Sequence, residues 1–162
     1  MHERIDMRGR VAVVLTDREG RVRHRLDCNN RIVRAGRQLV AQLFGGVDVG
    51  APPTKVSHIA VGTGGAASAD DQVALATERL RKPISSIAYS DIDEGTSPSV
   101  VKRVRASLRT VFDFNEANGP DPLREAGIFT ASAAGVMYNR VVFDAVTKSN
   151  AFQLTLLWDV TF

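Results

Sequence analysis

Apolar and polar positions alternate with a period of two at both ends of this chain, and with a period near four once between them. Val11, Val13 and Leu15 alternate with other residues, and Asp17-Arg18-Glu19-Gly20 supplies turn formers. Val22, His24 and Leu26 then point one way while Arg21, Arg23 and Arg25 point the other. That spacing predicts a half-buried β-hairpin over 10–27, with His24 on its apolar side. Ala35, Leu39 and Leu43, with Gly36, Val40 and Phe44, make one helical stripe, so the spacing predicts a helix over 33–45. Asn29-Asn30 leads into it and Gly45-Gly46 follows as a C-cap.

The stretch from Val56 to Ala69, VSHIAVGTGGAASA, reads as a short buried strand broken at Gly62, Gly64 and Gly65. Such a cluster allows positive φ and a sharp turn. Beyond it, Ser68 or Asp70 is placed to cap a short helix carrying Val73, Leu75 and Leu80, which Pro83 would stop. Ile84 to Ser90 predicts a strand, and Asp91 to Pro98 an acidic loop.

From Val104, the positions Ala106, Leu108, Thr110, Phe112 and Phe114 form the inward set of another strand, ended by the turn formers of Asn115 to Pro122. Leu123 to Thr130 predicts a strand with Gly127 at a bulge, and Val136 to Phe143 a further one. Phe152, Leu154, Leu156, Trp158, Val160 and Phe162 share one face of the final segment, which predicts a central strand tied into the core. Strands joined by short turns pair antiparallel. The expected fold is mainly β: an antiparallel β-sandwich with one α-helix from the N-terminal half packed on it. A single domain over 1–162 is expected, with 1–9 as a flexible N-terminal arm and 56–162 mostly β.

Composition narrows the function classes. Hydrophobic residues at 44% and charged residues at 24% are ordinary for a folded domain. No apolar run approaches the ~20 residues of a membrane span, and MHERIDMRGR lacks the apolar core of a secretory signal. Synthesis in a reducing cytoplasm is expected, since Cys28 stands alone and no internal disulfide or multi-cysteine zinc site is available. The net charge of +3 is uneven: residues 1–40 hold ten Arg against five acids. A basic end suits either a solvated face or an acidic partner surface.

Candidate chemistry is sparse. Gly62-Thr63-Gly64-Gly65 is followed by Ala66-Ala67-Ser68, not the Lys-Ser or Lys-Thr of a P-loop, and downstream strands do not alternate with helices. The loop therefore reads as a structural turn, and no cofactor is expected. Asp91, Asp93 and Glu94 with Gly95 fail EF-hand spacing, because Lys102 stands where the bidentate Glu belongs. His2, His24 and His58 show no metal-ligand spacing, and no nucleophile elbow exists. His58 beside Glu78 or Glu125 is the one acid–base pairing to test. The basic hairpin lacks the aromatic platforms of a single-strand binder, which leaves phosphate contact by Arg21, Arg23 and Arg25 as the nucleic-acid alternative. Neither enzymatic chemistry nor nucleic-acid binding is the expected role.

The order of segments carries more. A hairpin is followed by NNRIVRAGRQLVAQLFGG, VSHIAVGTGGAAS, LATERLRKPI, LREAGIFTAS and MYNRVVFDAVTKSNAFQLTLLWDVTF. Over residues 10–162 this order resembles small virion proteins of tailed bacteriophages, from tail, baseplate and fibre-attachment genes, and of phage-tail-like contractile particles. The resemblance lies in Ile59 to Gly64, in Leu75 with Glu78 and Arg81, in Glu125-Ala126-Gly127-Ile128-Phe129, and in the last strand with Trp158. It implies a non-enzymatic structural subunit of the virion that docks to copies of itself and to tail, baseplate or fibre proteins. A nucleic-acid-binding capsid or neck protein, or a carbohydrate- or cell-surface-binding module of the same particle, is the alternative. On this reading Glu78 and Arg81 form structural ion pairs, with Arg124 or Glu125 as further partners, and the row Arg21, Arg23, Arg25 meets a neighbouring subunit.

Overall fold

The computed structural model describes residues 6–162. Ten strands and one helix follow the chain as β1 (Arg8–Asp17), β2 (Val22–Asn29), β3 (Arg31–Ile32), α1 (Arg34–Gly45), β4 (His58–Gly62) and β5 (Glu78–Pro83), then β6 (Ser86–Glu94), β7 (Val101–Phe112), β8 (Leu123–Phe129), β9 (Met137–Val146) and β10 (Phe152–Thr161). They form two five-stranded antiparallel sheets, β2-β1-β10-β7-β6 and β3-β9-β8-β4-β5. The expected sandwich with one helix is the observed fold.

Period-two patterning explains the core. Val11, Val13, Leu108, Phe112, Leu154, Leu156 and Trp158 from the first sheet meet Ile59, Val61, Ala126, Ile128, Val141 and Phe143 from the second. β10 lies at the centre of its sheet, between β1 and β7, as its apolar face requires. Its four middle inward side chains are buried, at ~1.5–3 kcal/mol each when full. Trp158 also donates its indole N–H to Asn30 Oδ1 at 2.9 Å, so this apolar centre leaves no polar atom of the ring unpaired.

α1 follows β3 and packs against β9. Gly36 makes that approach possible, because a Cβ there would lie 1.9 Å from the Tyr138 carbonyl oxygen. Gly46 takes φ 76° and its N–H bonds the Gln42 carbonyl, the expected glycine stop. The stripe is buried only at Gly36 and Leu39; Phe44 is 96% exposed.

Several expectations need correction. The arm foreseen over 1–9 is partly strand, since Arg8 and Gly9 pair with Thr161 and Val160, while residues 1–5 lie outside the described residues. A register shift between Leu15 and Thr16 moves Val22 to the outer face, where it is 61% exposed, while His24 pairs with Leu15 in phase with Leu26 and keeps the expected apolar side, exposed there at the sheet's rim. No helix forms over 68–80; residues 63–77 are irregular and β5 follows. The acidic residues Asp91 to Glu94 extend β6 rather than forming a loop. Gly127 pairs regularly with Ala60 and Arg140, and the register shifts of β8 fall to either side of it.

Candidate functional site

The glycine loop is a clasp folded over the outer face of its own sheet. β4 and β5 pair antiparallel, so the chain does turn back on itself between Gly62 and Glu78. The intervening residues lie over β8 and β9, where Leu75 packs with Ala60, Phe129, Met137 and Val33. Positive φ is not what the glycines provide, because none of Gly62, Gly64, Gly65 and Gly127 adopts it. They provide room. A Cβ on Gly62 would lie 2.3 Å from the Thr77 carbonyl oxygen, and one on Gly64 would lie 2.5 Å from Glu125 Oε1. At Gly127 it would lie 2.9 Å from the Asn139 carbonyl and 3.1 Å from Leu75.

Beneath the clasp sits Glu125, fully buried. Its Oε1 accepts the amides of Gly64 and Thr77 at 3.0 and 2.7 Å. Its Oε2 accepts the Ala76 amide at 3.0 Å and Arg140 Nε at 2.8 Å. Two donors on each oxygen saturate the carboxylate. Arg140, equally buried, also donates to the Ala66 carbonyl at 2.9 Å and to Gln72 Oε1 at 3.1 Å. Within the glycine loop, the Gly64 amide thus holds the chain's own carboxylate, where a nucleotide site would offer it to phosphate, and the Thr63 amide bonds the Thr77 carbonyl at 2.9 Å. Asp70 ties the same loop to α1: its carbonyl accepts the Arg34 amide at 2.8 Å and its side chain pairs with Arg37 at 2.9 Å.

Glu78 and Arg81 form the expected ion pair, with Nε–Oε1 at 2.9 Å and Nη2–Oε2 at 2.7 Å. Arg81 also donates to the carbonyls of Ala131 and Ala134 and covers the Phe129 ring at 3.6 Å. It therefore pins the β8–β9 turn. Neither residue engages Glu125, whose partner is Arg140 instead. Sequence reasoning missed Arg140 although a signal existed: a charged residue inside the apolar run MYNRVVFDAV, on the strand next to β8.

The arginine row is occupied from within. Asp17 Oδ2 receives Arg21 Nε at 3.2 Å and Arg23 Nε at 2.6 Å, while Asp27 takes Arg25 at 3.0 Å and Arg10 at 3.5 Å. Partial shielding pushes the Asp17 carboxyl up, but the Arg21 and Glu19 amides and the two guanidinium groups outweigh it and hold it well below the usual carboxylate range. The row remains exposed, yet much of its charge is cancelled locally.

The other candidates do not converge. His58 Nδ1 lies 2.8 Å from Ser57 Oγ, which itself donates to the Thr130 carbonyl, and Glu78 and Glu125 bond elsewhere. Burial, with Asp144 and Asp27, pushes the Cys28 thiol up, the reverse of an activated nucleophile. Asp93 pairs with Lys102 and Glu94 with Arg8 and Arg103. No group of three or more metal-ligating side chains occurs among the described residues, and no helix among them is long and apolar enough to cross a membrane. No protein-family model, curated protein or solved structure matches the chain.

Proposed function

We infer that the chain is a non-enzymatic structural component of a bacteriophage tail or tail-like particle. It is made in the host cytoplasm and resides in the virion, docked to itself and to tail, baseplate or fibre proteins. The saturated Glu125 carboxylate carries this reading. The glycine loop has its Gly64 and Thr63 amides committed within the fold, Glu125 and Arg140 fasten the segment over its own sheet, and the Glu78–Arg81 pair pins a neighbouring turn. The groups left for function lie at the surface, as strand edges, apolar side chains and compensated charge. A subunit that works through interfaces needs that distribution. The nucleic-acid alternative draws little from the arginine row, because Asp17, Glu19 and Asp27 already bind it.

The test is to purify tail or tail-like particles from the cells that encode this chain and locate the chain by mass spectrometry and cryo-electron microscopy. A fixed copy number at a symmetric position is expected. Particles complete without the chain would overturn the reading, and so would retention of the purified protein on DNA at physiological salt.

A further inference from the structure

Four strands border the two sheets, and three carry features that discourage pairing with another chain. β2 presents Arg23 and Arg25 and a register shift. β3 has only two residues. β5 carries Arg79, Arg81 and Lys82, breaks register near Gly62, and ends at Pro83. Charges, brevity, bulges and proline are the usual protections of an edge. β6 lacks them along its first half: Ser86, Ile87, Ala88, Tyr89 and Ser90 contain no charge and no proline, and β6 pairs with β7 without a register break. Tyr89 is 74% exposed.

This edge also borders an apolar groove. Ile87 and Tyr89 line it together with Leu43, Val56, Tyr138 and Phe162, around a volume of about 200 Å³. Leu43, Ile87 and Phe162 are each more than a third exposed, so the apolar surface continues from the strand onto α1 and the chain's last residue. Contiguous exposed apolar surface of this kind marks an interaction site.

We propose that β6 is the contact through which two copies of this chain form a two-fold dimer, pairing edge to edge and antiparallel about Ala88. Charge excludes the registers nearest the acidic end, and side-chain pairing favours the one centred on Ala88. Centred on Ala88, the pairing sets Ile87 of each copy opposite Tyr89 of the other, a favourable β-branched–aromatic pair, and Ser86 opposite Ser90. Asp91, Asp93 and Glu94 then lie beyond these five residues. Centring on Asp91 opposes Asp91 to itself, and centring on Ile92 opposes Asp91 to Asp93; like charges directly opposite are destabilising. Centring on Ser90 sets Ile87 against Asp93. Half-step registers are barred because they would exchange the two faces of the strand. The short apolar–small sequence is therefore complementary to itself, and the acidic end limits how far it slides. A head-to-tail contact of β6 with β2 would need arginines that Asp17 and Asp27 already hold. The two grooves merge into one apolar floor beneath the ten-stranded sheet.

This inference rests on the reading that the chain acts through its surfaces, and two measurements separate them. In full-length protein with Cys28→Ser, Ala88→Cys is expected to oxidise to a covalent dimer, because residues on the two-fold lie within disulfide reach. Ile92→Cys is expected to stay uncrosslinked. By light scattering the wild type should show twice the 17.6 kDa chain mass. Tyr89→Lys should show a single chain that still unfolds cooperatively, with the midpoint of the wild type diluted to monomer. A monomeric wild type at the highest soluble concentration, crosslinking at Ile92→Cys instead of Ala88→Cys, or an oligomer untouched by Tyr89→Lys would each overturn the proposal. Particles that assemble normally with Tyr89→Lys would remove β6 pairing and leave the structural role standing. A dimer from a chain absent from particles would do the reverse.

Discussion

Glu125 and Arg140 meet at 2.8 Å with both side chains fully shielded from solvent, one on each of two neighbouring strands under the glycine clasp. Removing one partner of such a pair leaves the other as an uncompensated buried charge, at a cost of about 3–5 kcal/mol. Glu125→Ala is expected to lose that much. Glu125→Gln should recover little, because four donors converge on two oxygens and an amide would turn its NH₂ toward two of them. The double variant Glu125→Leu with Arg140→Met should lose less than the sum of its parts. Urea unfolding followed by Trp158 fluorescence measures all of these, since the sole tryptophan is fully buried. Additive losses would show that the pair does not act as a unit.

The loop glycines should separate into two classes. Alanine at Gly62 or Gly64 forces a Cβ into backbone or carboxylate oxygens at 2.3 and 2.5 Å, and should cost about 1–3 kcal/mol. At Gly65 the nearest atom is Arg124 Cδ at 3.4 Å, with no positive φ, so Gly65→Ala should stay within about 0.5 kcal/mol. Thermal midpoints of the three variants decide it, and equal losses at all three would contradict the close-approach account.

That contrast shows what was legible in the chain and what was not. The sandwich could be read because Leu154, Leu156 and Trp158 repeat with the period of a strand, and Leu108 and Phe112 share that period on β7. Glycine content located the break after Val61, but close approach and positive φ leave the same mark in a sequence. The distinction depends on Glu125, 61 residues away from Gly64. Arg140 was hidden because alternation assigns a face without saying what covers it. Here residues 63–77 cover the outer face of the second sheet and make it a second interior. Val22 is turned to the outer face by one inserted residue in β2, which periodicity registers only after the fact, while His24 beyond it keeps its phase.

Lys148 is buried and donates to the Asp113 and Ser149 carbonyls at 2.9 and 3.1 Å and to Asn118 Oδ1 at 2.8 Å. It joins the loop after β7 to the link between β9 and β10. Burial pushes its ammonium below the ordinary lysine value. Lys148→Met keeps the stem and leaves those oxygens without their donor, a loss of about 1–3 kcal/mol. Asn118→Ala removes only one acceptor and should cost less. Denaturant midpoints for the pair check the order, and a reversed order would place the strength of the contact in the asparagine.

Tyr138 supplies a pH dependence with a definite sign. Its ring packs in the core, its hydroxyl finds no hydrogen-bond partner among the described residues, and burial pushes its pKa above the ordinary 10.0. The folded chain therefore keeps a proton that the unfolded chain releases near pH 10. Stability from this group is fully present below that pH and falls as pH rises toward the raised folded value. Tyr138→Phe removes the dependence and also removes an unpaired buried hydroxyl, so the variant should be at least as stable as the wild type near neutrality. Unfolding free energies of both proteins at about pH 8 and about pH 11 isolate the effect, because every other titrating group is common to the two. The wild type should lose more over that interval. Parallel losses would mean that the phenol already ionises inside the fold, through solvent reaching it from the groove it lines.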